Sequence, residues 1–234
     1  MPNLHPLEAV AFGVGAGLLY WWFRSGSNGQ TTVVINNYKE CEDAVKILRK
    51  HCEENPVLGF DCEWEWWWRS KGVDILQLCT HKGYCAVIRL CAMDTFPPSL
   101  CDLLNDSHVV KVGVDALEDA GRLSRDLNLT TVSTLDLRFV AVLTGEEPGS
   151  LAAMHERVVG VTLDKCLYVS PSNWRANNVT QEQINYAAGD AIAFIKIYTT
   201  LAQKVSDVSV FEQYYDQKYD PYYHDRLNPI ATNT

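Results

Sequence analysis

The stretch "GFDCEWEWWWRSKG", residues 59–72, decides how this chain is read. Written as an extended strand, residues 57–64 sort into two faces. Leu58, Phe60, Cys62 and Trp64 share one; Gly59, Asp61 and Glu63 share the other. Two carboxylates side by side on one strand face repel each other unless a cation sits between them. Hard divalent ions such as Mg²⁺ or Mn²⁺ suit an all-oxygen site. The plainer alternative is a solvated strand face on which an Asp-x-Glu pair arose by chance, so the pair needs support from elsewhere.

That support lies downstream. After the strand-like "SHVVKVGV", the helical segment "DALEDAGRLSRDLN" carries Asp115, Glu118 and Asp119 in its first turns. Asp115 reads as the N-cap and Glu118 as a solvated neighbour, while Asp119 lies four residues before Leu123 and follows the "VGV" strand at a fixed distance. The long helix "TQEQINYAAGDAIAFIKIYTTLAQKV" opens on a Thr180/Gln183 capping-box pair. It places Tyr186 and Asp190 four residues apart on one face. The residues between them are small, so another element can approach closely.

The remaining pattern is α/β. Short β-branched or apolar runs at 31–37, 73–80 and 83–90 read as strands around the first motif, and the three at 56–90 form an antiparallel meander. Helical spacing follows at 41–54 and 97–106, then strand and helix alternate. Strands first, then alternation, predict a mixed β-sheet flanked by helices in the order of the ribonuclease H-like fold.

Taken together, Asp-x-Glu on a strand, Asp119 in a helix after a second strand, and Tyr186-x-x-x-Asp190 on a late helix form an ordered set. Here the chain resembles the DEDDy family of 3′–5′ exonucleases, relatives of RNase D and the Werner exonuclease domain, over about residues 31–203. The words "VLGFDCEW", "DILQLCT", "VKVGVDALEDAGRL" and "SNWRANNVTQEQINYAAGDA" carry the likeness. The resemblance implies a catalytic set of Asp61, Glu63, Asp119, Tyr186 and Asp190. It implies two divalent cations, Mg²⁺ or Mn²⁺, with Asp61, Glu63 and Asp190 on the first and Asp61 and Asp119 on the second. Single-stranded RNA or DNA would be shortened from the 3′ end to nucleoside 5′-monophosphates. Tyr186 would orient the attacking water, since a tyrosine hydroxyl is ordinarily protonated at neutral pH.

Trp64 reads as core. Trp66, Trp67 and Trp68 fall where the strand ends, and two readings stand open: stacking on bases, or a plug against the body, a partner or a membrane. Arg69 and Lys71 are candidate phosphate contacts beside them, and Gln77 on the neighbouring strand is a candidate site-facing contact. Trp174 reads as a lid or as a loop anchor, and Lys165 matches a family position near it.

Composition narrows the alternatives. A net charge of −9 is a poor profile for tight non-specific duplex binding, yet it is compatible with a cation-assisted nuclease. The eight cysteines show no zinc spacing and sit in apolar runs, as buried free thiols do. Residues 9–23, "AVAFGVGAGLLYWWF", are unbroken apolar sequence without a basic segment before them. We expect a membrane anchor there, with Arg24 keeping the body in the cytosol; the family resemblance implies the mitochondrial outer membrane, and the endoplasmic reticulum is the alternative. The expected organisation is an anchor and linker at 1–30, an exonuclease domain at 31–204 and an acidic, tyrosine-rich tail at 205–234 that either packs or hangs loose. A tethered nucleic-acid-binding scaffold with little turnover is the competing reading. Protein partners and oligomeric state are not legible.

Overall fold

The computed structural model describes residues 22–24, 29–65, 72–163 and 173–221. Seven strands form one mixed sheet: β1 (Trp22–Arg24), β2 (Thr31–Ile35), β3 (Val57–Glu63), β4 (Ile75–Thr80), β5 (Tyr84–Arg89), β6 (Val110–Gly113) and β7 (Thr134–Asp136). Their order across the sheet is β1-β2-β5-β4-β3-β6-β7. β3, β4 and β5 make the expected antiparallel meander, while β2 adds to β5 in parallel, as β6 does to β3 and β7 to β6. The long-range order β2-β5 and β3-β6 needs crossovers, which the helices supply.

Alternation along the strands builds two cores. Leu58, Phe60 and Cys62 face helices α1 (Tyr38–Cys52), α2 (Pro98–Leu104) and α3 (Ala116–Leu127). The opposite face, with Val57, Ile75, Cys79 and Val87, is covered by α4 (Leu137–Leu143), α5 (Leu151–Val159) and α6 (Gln181–Ala202). Each helix starts for a local reason. Asn37 caps α1 through Glu40 N–H, Ser150 caps α5 through Ala153 N–H, and Thr180 and Gln183 close a capping box on α6. β3 and α6 approach so closely that a Cβ on Gly59 would lie 2.0 Å from the Ala191 carbonyl oxygen.

One expectation changes at the N-terminus. Trp22 and Phe23, the last residues of the expected membrane run, belong to β1 and pair antiparallel with Val33 and Thr32. A backbone hydrogen-bonded into a sheet does not continue a spanning helix, so the run cannot extend to residue 23. Residues 1–21 and the linker positions 25–28 lie outside the described residues, and among the described residues no helix is long and apolar enough to cross a membrane. At the other end, residues 205–221 pack on the body. A 3₁₀ segment, Val208–Tyr214, buries Phe211 completely. The Asp216 carboxylate then accepts hydrogen bonds from Ser133 N–H (3.0 Å), Thr134 N–H (2.9 Å) and the Thr134 hydroxyl (2.9 Å). Residues 222–234 lie outside the described residues.

Seven described cysteines are free thiols, five of them buried. Burial pushes the Cys41 thiol up to about 12 and the Cys52 thiol up to about 11. A folded-state value above the unfolded one means stability that is complete below pH 9 and lost as pH climbs toward the folded value. The melting temperature should therefore fall between pH 9 and 11. A Cys41→Ala variant should show a shallower fall in a calorimetric pH series; equal slopes would contradict this account of Cys41.

Candidate active site

The site forms at the carboxyl ends of the parallel neighbours β3 and β6, where open α/β sheets place their ligand crevices. Asp61 and Glu63 project from the face of β3 that α6 covers. Asp190 comes down from α6, one residue before the close Ala191–Gly59 contact. The three carboxylates converge: Asp61, Glu63 and Asp190 each offer an oxygen, and these oxygens all lie within 4.8 Å of one another. Glu63 and Asp190 are buried and Asp61 is half-buried. Three anionic oxygens so close in a low-dielectric setting repel strongly, and a divalent cation is the partner that an all-carboxylate set fits.

Asp119 arrives from the opposite layer. It lies on the buried face of α3, 6% exposed. Burial, then the charges of Asp61 and Asp115, hold its carboxyl well above the usual range, and Arg122 opposes them only in part. Arg122 is engaged with the exposed Glu118 at 3.3 Å, and its guanidinium lies 4.1 Å from the centre of the Trp64 ring. Trp64 is thus half-buried under an arginine at the edge of the core, not inside it. Asp119 stands beside Asp61 but outside the triad.

Asp115 is the N-cap position of α3 but makes no capping hydrogen bond. Its backbone is left-handed (φ 59°), which Asp tolerates better than most residues. Its N–H donates to Asp136 Oδ2 at 2.9 Å, and its carboxylate pairs with Arg138. Arg138 also grips Asp136 and stacks 4.7 Å over the Tyr219 ring, so the C-terminal segment braces the turn that leads into Asp119.

Tyr186 is half-buried on α6, one turn before Asp190. Its ring lies 6.3 Å from that of Trp174. Trp174 is fully buried and so anchors the loop before α6; it is not a mobile lid. Gln77 requires correction: it is completely buried, opposite Asp61 on β4, so it presents nothing to a bound strand. Trp66, Trp67, Trp68, Arg69, Lys71 and Lys165 lie outside the described residues.

Sequence reading missed a clamp. Asp74, fully buried at the start of the second meander strand, donates its N–H to the Glu63 carbonyl at 2.9 Å. Its carboxylate accepts from Arg175 Nη1 at 2.6 Å and from Glu65 N–H at 3.1 Å. Arg89 binds the carbonyls of Ala176 and Asn177. The loop before α6 is therefore tied to the end of β3. The one sequence signal was an aspartate inside the apolar "GVDILQL". Arg175→Ala would leave Asp74 buried without its cationic partner, holding only the Glu65 N–H. Because the Arg175 side chain is 34% exposed, the expected loss is about 2 kcal/mol, below that for fully buried pairs. An Asp74→Asn, Arg175→Met pair should recover most of it in denaturant melts. No recovery would show that the clamp works by something other than charge.

A family model described as 3′–5′ exonuclease matches residues 32–206. Exonuclease 3′-5′ domain-containing protein 2 of Drosophila melanogaster is 40% identical over 186 residues, 78% of this chain and 32% of that protein. Its Mus musculus namesake is 34% identical over 178 residues, 72% and 27%. The bifunctional 3′-5′ exonuclease/ATP-dependent helicase WRN of Mus musculus is 30% identical over 185 residues, 76% and 13%. The chain spans less than a third of the length of these curated relatives. Among solved structures, the EXD2 exonuclease domain soaked in Mn is 33% identical, covering 73% of this chain and 89% of that one at a TM-score of 0.47.

Proposed function

The chain belongs to the 3′–5′ exonuclease family, and from that premise we propose that it hydrolyses single-stranded nucleic acid, RNA or DNA, from the 3′ end with the help of two divalent cations. The observation that carries the reading is the convergence of Asp61, Glu63 and Asp190 within 4.8 Å. Asp61, Glu63 and Asp190 would hold one Mg²⁺ or Mn²⁺, and Asp61 with Asp119 a second. When bound, such cations neutralise the scissile phosphate and stabilise both the attacking and the leaving oxygen.

The chain's own residues set the geometry. The triad draws on two elements, β3 and α6, so it holds its shape only while those pack. Tyr186 orients the attacking water from the turn before Asp190. That water's oxygen bonds to phosphorus, the bond to the 3′ oxygen of the preceding nucleotide breaks, and the proton passes to that leaving oxygen. The products are a nucleoside 5′-monophosphate and a strand one residue shorter. Trp66, Trp67, Arg69 and Lys71 are proposed to meet the strand, on the strength of their residue types alone.

Chromatography of the products tests this reading. Nucleoside 5′-monophosphates from DNA or RNA are expected; 3′-monophosphates or internal fragments would overturn it. The apolar run before β1 is proposed to attach the chain to a membrane, most readily the mitochondrial outer membrane with the endoplasmic reticulum as the alternative. The attachment rests on the run's composition, and the choice of organelle on the family resemblance alone. The full chain should resist carbonate extraction and a chain starting at residue 25 should not; equal extraction would refute the attachment.

A further inference from the structure

Gln77 lies on β4 directly across from Asp61. Opposed residues of an antiparallel pair project to the same face, with Cβ atoms about 4.5–5.5 Å apart. Apart from Asp61 its immediate neighbours on that face are apolar, while Glu63 and Arg89 lie one pair further along, on either side of Ile75. Ile75 and Cys79 flank Gln77 on its own strand, Val87 faces it from β5, and all three are buried in the core beneath α6. Gln77 has no exposed surface, and neither its Oε1 nor its Nε2 finds a hydrogen-bond partner among the described residues. Burying an amide without partners costs its desolvation for no return, and Met would fill the same volume without that cost. An amide kept in such a place, next to a carboxylate of the triad, calls for a reason.

Charge supplies one. A lysine or arginine here would neutralise the carboxylates and compete with a cation. An acid would add to their repulsion. An amide can donate to a carboxylate without changing its charge, and a carboxylate has about four acceptor positions to share between a cation and a donor. Outer partners of this kind orient cation ligands in metal sites generally.

Resting on the cation site read above, we propose that Gln77 is a positioning residue of that site: its Nε2–H donates to Asp61 when a divalent cation is bound and fixes the orientation of that carboxylate. Without the cation the amide has no such role. Removing it should therefore cost nothing in the cation-free fold and much in the loaded one.

The test uses the full chain with Gln77→Met. Melting is followed in chelator, and Mn²⁺ binding is followed by calorimetry. The expected result is a melting temperature equal to or above that of wild type, with Mn²⁺ affinity weakened by about 10–100-fold. A lower melting temperature in chelator would mean that the amide serves the fold itself, and it overturns the proposal. Wild-type Mn²⁺ affinity in the variant overturns it as well, and leaves the cation site standing. A wild-type chain that binds no Mn²⁺ removes the cation site and this proposal together. If the Met variant does not fold, Gln77→Asn carries the test, since its amide ends one methylene short of Asp61. The same weakening is expected, and unchanged affinity overturns the proposal.

Discussion

Asp119→Asn should make the cation-free protein more stable and the enzyme inactive. Asp119 is buried, and burial together with the charges of Asp61 and Asp115 holds its carboxyl well above the usual range. A folded-state value raised in this way contributes stability at acid pH that is lost as pH rises past the usual carboxylate range. Asparagine has the same shape and no such loss. In chelator, the variant should melt above wild type at neutral pH, by about 2–4 °C for each kcal/mol regained. The gap should shrink toward pH 4. Turnover should fall by at least about 10²-fold, because losing a cation ligand exceeds the 10–100-fold cost of losing an outer partner. Calorimetry across pH and a gel assay check both halves. A variant that melts below wild type in chelator would mean that Asp119 is paired within the apo fold.

Gly59→Ala should have the largest effect on stability. The added Cβ would sit 2.0 Å from the Ala191 carbonyl oxygen and 3.0 Å from the Ala191 carbonyl carbon. Both are backbone atoms of α6, so no side chain can swing away to relieve the clash. The helix must lift from β3, at a cost above about 3 kcal/mol, beyond the usual range for overpacking. Asp190 precedes Ala191, so the lift also opens the triad. The folded fraction should lose Mn²⁺ affinity as well as stability, as melting and calorimetry would show. Wild-type melting would mean that β3 and α6 do not touch at this point.

The two cases show what the residue order does and does not disclose. The meander, the alternation of β3 and the capping box of α6 are local patterns, and each is legible because its spacing has a direct physical consequence. The convergence of β3 with α6 is not local. Nothing in "GFD" states that Gly59 exists to admit a helix backbone from residue 191. Asp115 shows the same limit: its N-cap position is readable, but its left-handed backbone and its Arg138 partner depend on a turn braced by Asp136 and Tyr219. Gln77 reads as a candidate site-facing contact until pairing with β3 and cover by α6 bury it completely. Residues 22 and 23 read as the end of an apolar run until β2 claims them as an edge strand.

The most direct test of the central claim is to watch the ends of a strand. DNA and RNA single strands labelled at the 5′ end would be incubated with the protein in Mg²⁺ or Mn²⁺, beside an Asp61→Ala, Glu63→Ala double variant. The account predicts a ladder that shortens stepwise from the 3′ end, absent in chelator and in the double variant. A folded wild-type protein that binds Mn²⁺ but shortens neither polymer would contradict it, and would leave a nucleic-acid-binding scaffold in its place.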